Sequence, residues 1–372
     1  MYRYYWIKIL ECKQYNLFGP KPRSLFKILG LLLCFFVVNL KEPLLAQFGG
    51  LKPKSTLIDT SYVKSYRHQL LIRTYAITKY NKWSFIDNSS GDQFNFEPNS
   101  NLNLGLGFNY KWVGLNAAFN FPIINNDDDK LGDTRFLDLQ ADFYGRRHLI
   151  NIIYQDYKGY RITESNLILP QISVTDTFFS KRSDISTRAF GLNGFYNFNQ
   201  DRFSFLSSFI QNEWQKRSAG SFFVGGYLSW LQMRSDSSFV PSSLNNNFPL
   251  FRNVNTTEFG NLGVSGGYAY TFVFFKNFFI TLSAALGIGG EISKASADDQ
   301  EDFFWREASI NYSAFTKGAV GYNKDSFHIG LNFSSNFNTF HEQQLSRVIY
   351  QFGNVRFYFV KRFNIDKPFW KN

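Results

Sequence analysis

Leu102, Leu104, Leu106, Phe108, Tyr110 and Trp112 take every second position of one stretch, with Asn103, Gly105, Gly107, Asn109 and Lys111 between them. A period of two sends one set to one face of a strand and the other set to the opposite face. The stretch is about 11 residues long, which is what a tilted strand needs to cross a bilayer. After a turn around Trp112 to Gly114 the pattern resumes with Val113, Leu115, Ala117, Phe119 and Phe121 against Asn116 and Asn120, which predicts a hairpin. Leu137, Leu139, Ala141 and Phe143 then alternate with Asp138, Gln140 and Asp142. Gly145-Arg146-Arg147 turns that segment into Ile150, Ile152 and Tyr154 against Asn151 and Gln155.

The same texture predicts strands over 67–78, 185–198, 203–215, 220–233, 258–275, 278–291, 308–323, 326–338 and 345–363. Tight turns separate several of them: Asn199-Gln200-Asp201-Arg202, Lys276-Asn277 and Asn323-Lys324-Asp325-Ser326. Longer polar loops are expected at 79–100, 124–133, 158–184, 234–257 and 292–307. Short turns on one side and long loops on the other are the layout of bacterial barrels. The number of segments is odd, whereas a barrel with both chain ends on one side needs an even number. The region 216–257 is suspect, because Lys276-Asn277 otherwise falls on the wrong side. The expected fold is therefore an all-β, antiparallel transmembrane β-barrel of about 12 strands, with 14 as the alternative. A soluble lipocalin-like barrel or a β-sandwich also alternates. Against it stand strands far longer than the soluble norm of about 5 to 6 residues, and an Asn, Gly, Ser, Asp and Gln face that suits a wet lumen.

Composition sharpens this picture. The chain has 372 residues with 44 Phe and 21 Tyr, and charged residues make up only 19 %. Aromatic residues fit a pleated surface, a lipid-facing wall and its interfacial girdles. The front of the chain is a different matter. Lys21, Arg23 and Lys27 precede the apolar run Ile28 to Val38, and Leu44-Leu45-Ala46-Gln47 follows, which describes a secretory signal peptide over 1–46. The run falls short of the roughly 20 residues a spanning helix needs. A lipobox ending at Cys34 is the alternative, with bulky Leu33 where a small residue is preferred. The segments that follow are a periplasmic stretch 47–66, the barrel 67–363 and a tail 364–372. After position 46 no apolar stretch is long enough for a membrane helix.

The net charge of +11 invites a nucleic-acid reading. Seven basic side chains against two acidic ones in 1–46 account for five of those charges, and the other basic residues are scattered rather than grouped in a stripe, so nucleic acid is not an expected partner. Both cysteines, Cys12 and Cys34, lie in the leader, leaving the mature chain without disulfide or cysteine–zinc chemistry.

Four blocks carry a family resemblance: Tyr144-Gly145-Arg146-Arg147, Gln155-Asp156-Tyr157-Lys158-Gly159-Tyr160, Gln211-Asn212-Glu213-Trp214-Gln215-Lys216-Arg217-Ser218-Ala219-Gly220 and Tyr268-Ala269-Tyr270-Thr271-Phe272. In their order they resemble bacterial secreted proteins grouped as domain of unknown function 4421, over about residues 57 to 363. The resemblance implies an outer-membrane barrel and no activity.

Candidate chemistry is sparse. Gly263-Val264-Ser265-Gly266-Gly267 satisfies G-x-S-x-G, but a nucleophile elbow needs a strand, a sharp turn and a helix, and here the motif sits inside an alternating strand. His68, His148, His328 and His341 are spread over different segments, with His341 beside Glu342 the best single candidate for a catalytic pair. Asn125 to Asp133 has oxygen ligands for calcium, but Leu131 occupies a ligand position, and a solvated loop explains it. No catalytic set, metal site or cofactor is assigned.

The polar set Asp138, Gln140, Asp142, Glu213 and Arg356 is expected to line the lumen, because a charge facing lipid at the midplane costs about 2 to 4 kcal/mol. Val355, Phe357, Phe359 and Phe363 share one parity near the C-terminus. An apolar last strand of this kind resembles the recognition signal read by barrel assembly machinery, with Phe359 and Phe363, or Trp370 in the tail, as the terminal aromatic. The expected partners are that machinery and outer-membrane lipid. The primary functional reading is a non-enzymatic outer-membrane barrel, structural or passing a narrow solute. The alternatives are an outer-membrane enzyme acting on lipid or peptide, and a soluble periplasmic ligand-binding barrel.

Overall fold

The computed structural model describes residues 58–110, 113–120, 131–163, 181–240, 246, 248, 251, 253–296, 305–342 and 346–365. Residues 1–46, expected as a signal peptide, both cysteines, most of the candidate calcium loop and Trp370 lie outside the described residues. The strands are β1 (Val63–Ser65), β2 (Leu70–Asp87), β3 (Gln93–Glu97), β4 (Leu102–Tyr110), β5 (Val113–Asn120), β6 (Arg135–Tyr144), β7 (His148–Thr163), β8 (Lys181–Asn197), β9 (Glu213–Gln215), β10 (Ala219–Arg234), β11 (Thr256–Phe274), β12 (Phe278–Ser296), β13 (Trp305–Asn323), β14 (Phe327–Glu342) and β15 (Ser346–Phe363). Among the described residues no helix is long and apolar enough to cross a membrane.

Antiparallel ladders run from β2 through β15, β14, β13, β12, β11, β10, β8 and β7 to β3, and β3 returns to β2. This closed ring holds ten strands, a correction to the expected 12 or 14. The difference has a physical origin in β2, which is long enough to serve two partners on one edge. Its Trp83–Ile86 portion pairs with β3, and its Leu71–Thr78 portion pairs with β4. β4 carries β5, and β6 hangs on β7, so these three strands lie outside the ring. The segment 79–100, expected as a loop, is instead the upper half of β2 followed by β3.

A second correction concerns 203–215. Polar residues occupy both parities there, Ser207, Gln211 and Glu213 on one and Ser204, Ser208 and Asn212 on the other, so no face suits lipid. The segment folds into a π-helical turn, Leu206–Ile210, and into β9, which pairs with β1 rather than with the wall. Removing it from the wall restores the order of the turns: Gly145–Arg147, Phe275–Asn277 and Lys324–Ser326 all fall at one end. The misplaced segment therefore precedes 216–257, and 219–234 is an ordinary wall strand.

The alternation sorts side chains as the pattern required. Leu262, Val264, Leu282, Leu286, Ile288, Ile310 and Phe357 point outward as an exposed apolar belt. Toward the tight-turn end the outer surface becomes aromatic. Tyr270 and Phe272 lie 4.5 Å apart, Phe278 and Tyr322 4.8 Å, and Phe327 and Phe359 6.0 Å between ring centres. An apolar band ending in an aromatic girdle is the surface a bilayer selects. Inside, the opposite parity is largely polar: Asn193, Asn261, Thr271, Thr281, Asn311, Ser313 and Asn332 are buried.

Candidate functional site

Three layers fill the interior. At the tight-turn end the inserted segment 203–215 forms a plug. Its Phe203 and Phe205 pack with Leu149, Phe223, Ala269 and Ala285 of the wall. Glu213, with a fully buried side chain, accepts hydrogen bonds from Ser204 Oγ at 2.5 Å and Arg146 Nη2 at 2.9 Å, and its Oε1 lies 3.4 Å from Arg67 Nε. Arg73 is buried with no carboxylate partner among the described residues and donates to Asn116 Oδ1, the Ile210 carbonyl and Gln211 Oε1, each at 2.6 Å. Arg362 donates to Asn323 Oδ1 at 2.9 Å and to the Gln211 carbonyl at 3.0 Å. Gln211 receives these contacts from a left-handed backbone, φ 64°.

The chain entering the barrel is tied to the same end. Lys64 and Tyr66 both donate to Asp325 in the turn between β13 and β14, Tyr66 Oη at 2.5 Å. The Lys64 and Tyr66 hydrogen bonds hold the Asp325 carboxyl below its usual range. A carboxylate with a lowered folded value stabilises the folded form above the ordinary carboxylate range, and loses that contribution as pH falls through the lowered value. Acidification is therefore expected to free the segment 58–69 before the barrel unfolds. Limited proteolysis across a pH series reads this directly, and Asp325→Asn should show the acid pattern already at neutral pH. A cleavage profile that ignores both pH and the substitution would contradict it.

Above the plug lies a cavity that opens outward. Asp142 and Tyr144 of β6, Phe205 and Phe209 of the plug, Phe315 and Lys317 of β13, and Phe352 and Arg356 of β15 line it. Lys317 donates to the Tyr144 hydroxyl, and its ammonium lies 5.9 Å from the Phe209 ring centre. Arg356 stacks over Tyr75 at 5.0 Å, and its Nε has no hydrogen-bond partner. Asp142 accepts from Asn151 Nδ2 at 2.6 Å.

The structure brings most of the expected lumen set toward this space. Asp138 is held by Lys79 Nζ at 2.9 Å, Gln155 Nε2 at 2.9 Å and Tyr157 Oη at 2.9 Å. Gln140 donates to Asp138 at 3.0 Å. Glu213 stands apart from the others, since it belongs to the plug rather than to a wall strand. Phe359 and Phe363 are exposed on the outer face of β15. Sequence reasoning missed Arg73, Lys317 and Arg362. The available signal was a lone cation on the inward parity of an otherwise outward-apolar strand, as with Arg73 among Leu71, Tyr75 and Ile77.

At the loop end Phe85, Phe94, Phe96, Phe239, Phe248, Phe251 and Phe259 form a buried cluster with Trp83 and Tyr350. Below it Glu291 accepts from Ser309, from Asn311 Nδ2 at 3.3 Å and from the His341 backbone N–H at 2.7 Å. The His341 ring is 3.7 Å from that carboxylate. Glu291 is thus its acidic neighbour among the described residues, the Glu342 side chain lying outside them, and the Ser309 hydroxyl is spent on the same carboxylate. Ser265 is buried in the middle of β11, with no hydrogen-bond partner for its hydroxyl. His328 contacts the Tyr358 hydroxyl at 3.2 Å. Among the described residues no group of His, Cys, Asp or Glu is arranged to hold a metal.

These features define an antiparallel β-barrel with an apolar outer belt, a polar interior, and filled ends. The chain belongs to the family described as Domain of unknown function (DUF4421), whose model matches residues 57–363. No sequence relative was found among curated proteins. Among solved structures, the outer membrane protease OmpT from Escherichia coli aligns at 7 % identity and a TM-score of 0.37, covering 81 % of this chain and 98 % of its own. The translocator domain of autotransporter NalP from Neisseria meningitidis aligns at 6 % identity and 0.31, covering 78 % and 88 %. The P. putida toluene transporter TodX aligns at 10 % identity and 0.24, covering 79 % and 90 %. At such identity and overlap, what those proteins do does not transfer to this chain.

Proposed function

We propose that the protein is an outer-membrane barrel with a stoppered lumen, built as a closed compartment for a small solute rather than as an open diffusion pore. One observation carries this reading: both axial mouths are occupied by the chain's own residues, the Glu213-centred plug at one end and the Phe85-centred cluster at the other. The apolar belt and the girdle support residence in a bilayer. The outward ridge of Val355, Phe357, Phe359 and Phe363 on the last strand is the surface offered to barrel assembly machinery and then to outer-membrane lipid. An enzymatic reading has less support, because Ser265 has no hydrogen-bond partner among the described residues and the Glu291 carboxylate beside His341 is already taken up by Ser309 and Asn311.

Two measurements test the proposal. In planar bilayers the folded full-length chain should show no steady conductance; steps of constant size at low voltage would overturn the stoppered lumen. Leu286, exposed at 74 % on the outer face of β12, tests the membrane. Leu286→Arg should destabilise a lipid-embedded barrel by about 2–4 kcal/mol, while the same change on a water-facing wall would be nearly neutral. Urea titration followed by gel-shift loss reads the difference, and a neutral result would favour a soluble barrel.

A further inference from the structure

The wall has one unclosed seam. β5 pairs only with β4 and β6 only with β7, and among the described residues no ladder joins β5 to β6. The two strands run antiparallel, yet every side chain from Gly114 to Phe119 and from Leu139 to Phe143 is exposed, inward and outward parities alike. Elsewhere in the wall the inward parity is buried, as on β11 and β12. Unpaired strand edges are not tolerated against hydrocarbon, so in a bilayer this gap must be occupied or must zip.

Behind the seam lies the cavity. Gln140 and Asp142 line it and are themselves exposed, so it reaches the surface along the β6 edge. Its charges do not balance. Among the described residues Asp138 is matched by Lys79, which leaves Asp142 against Lys317 and Arg356, with Arg73 held by no carboxylate beyond them. The remaining lining sets the rings of Phe195, Phe205, Phe209, Phe315 and Phe352 among polar side chains such as Asn193, Asn332, Ser334 and Asn354.

We propose that the β5–β6 seam is a lateral portal through which a single-chain anionic amphiphile, of the fatty-acid carboxylate class, reaches the cavity from the bilayer. Its headgroup sits between Lys317 and Arg356. Its chain lies along those rings and out past Leu115, Phe119, Leu139 and Phe143, filling the gap that the two strand edges leave. The inference rests on the stoppered-lumen reading, because closed axial mouths leave the wall as the way in.

Photolabelling of the full-length protein in detergent with a diazirine-bearing palmitate tests it. Adducts are expected on β5, β6 and the cavity lining, and unlabelled palmitate should remove them. Lys317→Gln/Arg356→Gln should weaken labelling about tenfold, the size of one lost charge-assisted hydrogen bond, while Lys276→Gln in the outer turn should leave it unchanged. If the double variant does not fold, the wild-type chain is compared with the uncharged alcohol analogue of the probe, which should label about tenfold less well. Adducts confined to the outer belt, equal labelling by acid and alcohol, labelling by a two-chain phospholipid probe alone, or dimers cross-linked edge to edge would each overturn the portal. Conductance in the same preparation fails or survives independently, so an open axial pore would condemn the stoppered lumen and not be mistaken for failure of the portal.

Discussion

Glu213→Ala is expected to lower the unfolding free energy of the barrel by about 3–5 kcal/mol, the cost of removing one partner from a buried ion pair. The carboxylate is fully buried, whereas the side chains of Arg146 and Arg67 are 14 % and 39 % exposed. Water reaching Arg67 places the expected loss near the lower end of that range. Ser204 and the π-helical turn lose an anchor as well, since the Ser204 hydroxyl donates to the same carboxylate and caps the Ser207 N–H. Glu213→Gln should cost less, because it keeps an acceptor for Ser204 and removes only the charge. The exposed pair Lys64–Asp325 provides the contrast: neutralising it should change stability by about 0–1 kcal/mol. Urea titration monitored by gel migration ranks the three variants. A Glu213→Ala barrel as stable as the wild type would mean that the plug is not part of the cooperative fold.

How much of this could be read from the chain depended on how many environments a residue faces. For β6 the alternation itself was legible. Leu137, Leu139 and Phe143 share one face of the strand and Asp138, Gln140 and Asp142 the other, as a period of two requires, although Gln140 and Asp142 are exposed as well. The plug has only one environment, the inside of the barrel, which accepts Phe203 and Ser204 side by side. Its apolar content imitates a strand, and only the polar residues on both parities distinguish it. The upper half of β2 was illegible for the complementary reason. Strands of 16 to 19 residues such as β7 and β11 exceed the about 9–11 needed for a crossing, so Lys79, Asn81 and Lys82 sit where lipid no longer selects. The same half of the barrel encloses the aromatic cluster, whose members come from β2, β3, β11, β15 and the region 239–251. No local pattern could bring these residues together, because their contacts depend on closure of the ring. The cations of the lumen were hidden for a third reason: Lys317 and Arg356 lie 39 positions apart in the chain and come to one cavity only through closure of the wall, on β13 and β15 with β14 between them.

Phe85→Ala should remove a comparable share of stability from the opposite mouth, about 3–5 kcal/mol for a buried Phe truncated without repacking. Phe85 stacks on Phe94 at 5.1 Å and meets Phe251 edge-on at 4.9 Å, with Phe96 and Phe239 at 5.8 and 5.9 Å. Four rings thus lose a neighbour at once, and β3 loses the contact that sits where it bridges β2 to β7. Phe85→Leu should recover more than half of the loss, because the bridge needs volume there more than it needs a ring. Phe85 and Glu213 share no contact, so their destabilisations should add to within about 0.5 kcal/mol. Conductance should not add. Opening one mouth leaves the other stopper in series, so each single variant should stay silent in planar bilayers, and only Phe85→Ala/Glu213→Ala should pass ions steadily. A single variant that conducts would mean that the intact end never sealed, and that one stopper alone closes the wild-type barrel.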